Sequence, residues 1–194
     1  MTNEDINSKK MIYSTSELKA QGFSYYLINQ MVKSGKLKRL NKQNYENKSF
    51  NYDYSDYFYV GAFAKNGVVC LLSAASYYAL TSYRCDGIDV AIERKTRLSS
   101  LPGYPRFNIH YYTEERLNTG VVNVNDGYNS FMIYDMEKTV ADIIYYREKV
   151  GIEETKEILI NYLNRKDRNL NKLIRYAKKL KCYNTLSKYL EVLV

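Results

Sequence analysis

The chain of 194 residues has one histidine and three cysteines, and that scarcity removes most side-chain chemistry at the outset. Any Ser-His or Cys-His couple would have to be built on His110, which lies in a segment that reads as a strand; a structural role is the simpler expectation. Cys70, Cys85 and Cys182 are odd in number and far apart. They fit neither a disulfide framework nor the spacing of a zinc site, so reduced thiols, mostly in the core, are expected. The phosphate-cradling G-x-x-x-x-G-K-[ST] and the dinucleotide G-x-G-x-x-G are both missing. Glu114 and Glu115 are adjacent only in sequence, and a solvated strand end accounts for them. Glu93, Arg94 and Lys95 at another strand end lack the upstream acids of a nuclease. No enzymatic activity, metal or cofactor is expected. Long apolar runs are lacking as well. The start, Met1-Thr2-Asn3-Glu4-Asp5, is polar, and the weakly apolar stretch 67–80 is too short to span a bilayer. A cytoplasmic protein without membrane contact is the expectation.

What the chain does have is positive charge in a particular distribution. The formal net charge is +8, and hydrophobic residues make up 45%, enough for a substantial core. Residues 1–55 carry +4, residues 56–144 carry −2 and residues 145–194 carry +6. A near-neutral middle between two basic ends suits an anionic partner touching both. The 22 tyrosines follow a bias toward Asn, Lys, Ile and Tyr throughout, and no individual tyrosine is assigned a base-stacking role.

The first fifty residues are the most specific. Ser14-Thr15-Ser16-Glu17 is a capping box, with Tyr13 and Leu18 placed to close a hydrophobic staple. Gly22 ends that helix and Ser24 caps the next, which Gly35 ends. Lys36-Leu37-Lys38-Arg39-Leu40 then alternates basic and apolar residues as a strand does. Asn41-Lys42-Gln43-Asn44 reads as the turn, and Tyr45 as the start of the return strand. Helix, turn, helix and basic ribbon in that order predict a winged helix-turn-helix over residues 1–50, a module that usually holds DNA. On the second helix Leu27, Ile28, Met31 and Val32 share one side. Tyr26, Asn29, Gln30 and Lys33 fall opposite, with Tyr25 on the flank. Asn and Gln suit paired hydrogen bonds to adenine, and Lys33 suits a phosphate or a guanine edge. Lys36, Lys38, Arg39 and Lys42 suit phosphates. An ordinary amphipathic helix with a solvated face would look similar; the basic ribbon that follows favours DNA.

The segment 47–56 is polar and reads as a linker into a second domain over residues 57–194. Tyr57 to Ala64 is apolar, and Val68 to Leu80 reads as a buried helix. Strands are expected at 88–92 and 107–112, with Pro102, Gly103 and Pro105 marking a loop between them. Val121–Val124 and Ser130–Tyr134 flank Asn125-Asp126-Gly127, a hairpin signal. Helices follow from Asp135, at 152–163, at 169–180 and at 183–193. The class is α+β: the winged module, then a domain with a mainly antiparallel sheet and a helical bundle. In the helix at 169–180, Leu170, Leu173, Ile174, Ala177 and Leu180 share a face. Arg168, Lys172, Arg175 and Lys179 lie opposite, either as a solvated face or as a second surface for phosphates or a protein partner.

These segments together resemble the AbiEi antitoxins of type IV toxin–antitoxin (abortive infection) systems, over nearly the whole chain. Residues 22–40 are similar to that family's winged helix. Asn66-Gly67-Val68-Val69-Cys70-Leu71-Leu72-Ser73-Ala74-Ala75 with Ala79-Leu80-Thr81 resembles its Gly-Val, Ser-Ala, Leu-Thr segment. Val90-Ala91-Ile92, Gly120-Val121 and Tyr134-Asp135-Met136-Glu137-Lys138-Thr139-Val140-Ala141-Asp142 continue in the family's order. Each motif is short; their co-linearity carries the likeness. The family's wing often reads Arg-Gly before valine and tyrosine, where this chain has Lys42-Gln43-Asn44-Tyr45, so Asn41 or Asn44 is expected to take the positive φ of the missing glycine. The resemblance implies an antitoxin that binds double-stranded operator DNA, as inverted repeats, and represses its own operon in phage defence. It also implies antagonism of a nucleotidyltransferase-type toxin without obligatory contact. The alternative from the residues alone is a module that grips an acidic toxin or enzyme and binds no specific DNA.

Overall fold

The computed structural model describes residues 6–52, 55–83, 85–98 and 100–193. The middle of the expected linker, residues 53–54, and the polar start 1–5 lie outside the described residues. Strand β1 (Ile12–Ser14) runs straight into helix α1 (Thr15–Ala20). The expected capping box makes this corner: Ser14 Oγ accepts the Glu17 N–H at 3.2 Å, and the Glu17 carboxylate accepts the Ser14 N–H at 2.8 Å. Tyr13 and Leu18, the staple pair, are both fully buried. Ser24 caps helix α2 (Tyr25–Lys33) by accepting the Leu27 N–H at 3.3 Å. Strands β2 (Leu37–Arg39) and β3 (Asn44–Asn47) follow, and β3 lies between β1 and β2, antiparallel to both. The return strand thus begins at Asn44, one residue before the expected Tyr45. Tyr13, Leu18, Phe23, Ile28, Met31, Leu37 and Tyr45 close a small core beneath these elements.

Helix α3 (Phe58–Phe63) leads into a five-stranded sheet of β4 (Val68–Val69), β5 (Ile88–Glu93), β6 (Phe107–Tyr112), β7 (Val121–Asn125) and β8 (Ser130–Tyr134). The order is β6-β5-β4-β8-β7. The expectation of a mainly antiparallel sheet is corrected: β5–β6 and β4–β8 are parallel, while β4–β5 and β7–β8 are antiparallel. The segment 94–106 around Pro102 and Pro105 is long enough to carry the chain back across the sheet, which parallel pairing requires and a hairpin does not. The hairpin about Asn125-Asp126-Gly127 forms as expected.

Val68 and Val69 also depart from the expected helix. They are a two-residue central strand, and helix α4 (Leu71–Tyr77) starts only after Cys70, whose backbone is extended. Gly67 permits this close turn: a Cβ there would meet the Ala64 Cβ at 2.7 Å and the Ala64 carbonyl at 2.9 Å. Two short helices, α5 (Glu114–Asn118) and α7 (Arg147–Val150), were not expected. The remaining helices, α6 (Met136–Tyr145), α8 (Ile152–Leu163), α9 (Leu170–Lys179) and α10 (Tyr183–Leu193), agree with the sequence pattern to within a residue or two. Asp135 and Asn169 cap α6 and α9, each accepting a backbone N–H three residues on, at 2.8 and 3.0 Å.

The sheet is the middle layer of this α+β fold. Val68, Ala91, Tyr112 and Tyr134 face one way, into α6 and the helices around it. Val69, Val90, Ile92 and Ile133 face the other way, into α3 and the N-terminal elements. Cover on both faces leaves β5 buried along all but its last residue, Asp89 included. Met11, Ile12, Leu40 and Phe50 belong to this second layer, so the amino-terminal elements share a core with the sheet. Asn47, expected to open the linker, is instead a buried end of β3 that donates to the Asn7 and Lys10 carbonyls.

Asn129 fastens the same contact from the hairpin side. Its Oδ1 accepts the Met11 N–H at 2.7 Å and its Nδ2 donates to the Lys9 carbonyl at 3.0 Å. Asn129→Ala leaves the buried Met11 N–H unpaired and removes the donor to the Lys9 carbonyl, and should lower stability by about 1–3 kcal/mol in urea unfolding. Asn123→Ala, exposed on the same hairpin, should change it by less than about 0.5 kcal/mol.

Candidate nucleic-acid interface

The two faces of α2 separate cleanly. Ile28 and Met31 are buried and Leu27 and Val32 half-buried, so the inner side is anchored in the small core. Asn29, Gln30 and Lys33 are exposed on the outer side, and Tyr26 is 70% exposed. Tyr25 on the flank is 58% exposed, with Lys19 Nζ 3.7 Å from its ring centroid. No Asp or Glu occurs from Ser24 to Gly35. The expected reading face is therefore presented to solvent, amides and ammonium together.

The ribbon beside it is basic but partly self-neutralised. Leu37 points into the core, while Lys36, Lys38, Arg39 and Lys42 are exposed. Lys38 Nζ lies 3.7 Å from Glu46 Oε2 on the neighbouring strand, and Lys48 Nζ lies 2.6 Å from Glu46 Oε1. Arg39 Nε donates to the Asn41 carbonyl at 3.2 Å, which orients the guanidinium along the turn. Sequence reasoning weighed Lys38 and missed Glu46, the cross-strand neighbour that only the register supplies.

The turn itself is built without positive φ. Neither Asn41 nor Asn44 enters the left-handed region. Instead Asn41 Oδ1 accepts the N–H groups of Gln43 and Asn44 at 2.9 and 3.0 Å, a side-chain-closed turn. Its tip is held on two sides. The Gln43 carbonyl accepts from Thr15 N and Oγ1, and the Ala62 carbonyl accepts the side-chain amides of Asn41 and Asn44. Lys42 stays outside these contacts and exposed.

The second basic surface is less uniform than the helical wheel suggests. Arg168, Arg175 and Lys179 are exposed, and Arg168 donates to the Arg165 carbonyl. Lys172 is turned inward, 3.2 Å from both Asp135 and Glu137. Burial alone would lower its pKa; the two carboxylates overcome that and hold the ammonium above its usual value. Leu170, assigned to the inner side, is 38% exposed, while Leu173, Ala177 and Leu180 are buried.

His110 Nε2 lies 2.9 Å from Asp89 Oδ1. Asp89 is buried and also accepts from Ser73 N at 3.3 Å and from Cys85 Sγ at 3.9 Å. Burial, and then Asp89, pushes the Cys85 thiol up to about 11, so it stays protonated near neutral pH. In the sequence Asp89 reads only as an acid within a strand and His110 only as a residue of another; their meeting comes from the parallel pairing of β5 with β6. Glu93 and Glu114 border another cavity together with Lys65. Among the described residues no three His, Cys, Asp or Glu side chains converge in a way that could hold a metal ion. No helix among them is long and apolar enough to cross a membrane.

No protein-family model matches the chain, and no curated protein is significantly similar to it.

Lys172→Ala should lower stability by about 1–3 kcal/mol in urea unfolding, because Asp135 and Glu137 lose their cation. Arg175→Ala should shift it by less than about 0.5 kcal/mol. Equal effects would place Lys172 with the solvated residues of α9.

Proposed function

We propose that the chain is a DNA-binding autoregulator in which α2 enters the major groove and the β2–β3 ribbon rests on the phosphates. The observation that carries this reading is the exposure of Asn29, Gln30 and Lys33 on a helix whose opposite face is locked into a core. An amide pair on a fixed helix can make paired hydrogen bonds to adenine, and those bonds discriminate among bases. The order β1, α1, α2, β2, β3, with β3 between its partners, supports a winged helix-turn-helix. Tyr25, Tyr26 and Lys33 flank the amides; Lys36, Lys38, Arg39 and Lys42 surround them with positive charge.

Antitoxin activity is inferred from the likeness of residues 22–142 to the AbiEi antitoxins, co-linear through the winged module, α4, β5 and α6. On that reading the protein represses its own operon from inverted repeats, and it antagonises a nucleotidyltransferase-type toxin without needing to touch it. The cytoplasm is the compartment where both tasks would be done. Direct capture of an acidic protein is less well supported, because Lys172, at the centre of the surface it would use, is already paired within the chain.

Fluorescence anisotropy with the DNA upstream of the operon tests this. With about five phosphates neutralised, log K should fall against log salt with a slope near about −4.5. Asn29→Ala and Gln30→Ala should each remove about 1–3 kcal/mol of preference for the operator over random duplex. Lys38→Ala with Arg39→Ala should weaken all duplexes alike. A slope near zero, with a protein partner co-purifying at moderate salt, would overturn the DNA reading in favour of the protein-binding one.

A further inference from the structure

A separate pocket of about 250 Å³ opens beyond the carboxyl ends of the parallel strands β5 and β6, away from α2. Arg94 and Thr113, the residues that follow those two strands, form part of its lining. Its border is strongly cationic, with Arg94, Arg116, Lys179 and Lys181 against a single carboxylate, Glu115. Tyr111 and Tyr145 supply aromatic surface and are 54% and 43% exposed. Lys181 holds a left-handed backbone, φ 60°, just past the end of α9. Glycine or asparagine usually takes that position, and either would remove a cation from the rim.

The wall behind the pocket carries an unbalanced charge. Arg116 is 8% exposed, and its guanidinium lies 3.9 Å from the Tyr145 ring centroid. Its Nη1 donates to Asp142 Oδ1 at 2.5 Å and its Nη2 to the Leu180 carbonyl at 3.1 Å. The other Asp142 oxygen accepts from Lys138 Nζ, and both of those side chains are fully buried. One carboxylate thus faces two cations, and among the described residues neither cation is paired with a second carboxylate. Burial and Asp142 pull on these groups in opposite directions: Lys138 ends below its usual pKa and Arg116 above. A buried positive excess is costly, and an anion at the pocket mouth relieves it.

We propose that this pocket binds a nucleoside monophosphate, its phosphate held by Arg94, Lys179 and Lys181 in front of Arg116 and its base laid on Tyr111. The volume lies just below the range of drug-sized sites, which suits one base, one sugar and one phosphate. Nothing in this site depends on α2 or on DNA.

Isothermal titration of the full chain with AMP, CMP, adenosine and inorganic phosphate tests it. AMP and CMP should bind about tenfold or more tighter than adenosine, which lacks the charge-assisted contacts. They should also bind about fivefold or more tighter than phosphate alone, which lacks stacking. Lys179→Ala with Lys181→Ala, both exposed positions, should weaken AMP about tenfold or more while leaving the unfolding midpoint and operator affinity unchanged. Tyr111→Ala should weaken AMP about fivefold or more and leave phosphate unaffected. Equal affinity for AMP and phosphate, or no binding of AMP at millimolar concentration, would overturn the proposal. So would displacement of AMP by duplex DNA together with weaker DNA binding by the double lysine variant, since the phosphates would then belong to nucleic acid.

Discussion

The carbonyl of Ala62 accepts two side-chain amides, from Asn41 at 2.8 Å and Asn44 at 2.9 Å, and the placement of the β2–β3 ribbon beside α2 depends on that junction. It fixes the ribbon turn to α3, which is itself packed against the sheet. The Thr15 bonds to Gln43 fix the same turn to α1. With Met11 and Asn129 closing the opposite end, the first fifty residues cannot swing against the rest of the chain without breaking buried hydrogen bonds. On the proposed DNA-binding reading, a helix carried on such a frame would lose little freedom on docking, which is how preorganisation improves affinity. The same restraint limits the ribbon. Its tip is held between α1 and α3, so it presents the exposed Lys42 and Gln43 side chains and not a projecting finger.

Charge is likewise more local than the net of +8 implies. Glu46 answers Lys38 and Lys48, Asp135 and Glu137 answer Lys172, and Asp167 answers Arg165. Each of these pairs subtracts from a surface that a count of lysines and arginines would treat as uniformly positive. The helix α2 differs because no carboxylate lies within it, and among the described residues Lys33 is in no ion pair. Field strength at a surface follows such placement, and steering of an anionic partner follows the field.

Local rules were readable in the sequence where one residue decides one bond. Ser14, Ser24, Asp135 and Asn169 cap helices as their side chains demand, and Asn125-Asp126-Gly127 makes its hairpin. The inner and outer faces of α2 followed from periodicity alone. Features set by distant partners were not readable. Val68 and Val69 carry the strand preference of β-branched residues in a run too short to read, and they become a strand because β5 and β8 line up on either side. Strand direction was equally hidden, since parallel pairing of β5 with β6 is a property of the crossover and not of either strand. At the candidate interface, Glu46 and the Ala62 carbonyl could not be anticipated, because both reach the ribbon through tertiary contact.

The charged centre at Asp142 shows the same dependence on distance, with greater consequence. Arg116 comes from α5, Lys138 and Asp142 from α6, and the Leu180 carbonyl from the residue after α9, so one cluster ties three helices together. Room for it has to be made: Gly120 sits at φ 73°, and a Cβ there would meet the Lys138 Cβ at 2.6 Å. Tyr134 and Tyr112 cover the Lys138 ammonium with ring faces, 3.9 and 5.3 Å from it, which compensates part of its lost hydration. Apolar side chains of the same volume would join the helices with no desolvation penalty, so adhesion alone does not explain ionised groups here. Their distinguishing physical effect is a positive potential delivered through Arg116 to the pocket that it borders. A buried lysine behind a buried arginine matters most when something negative is meant to arrive in front.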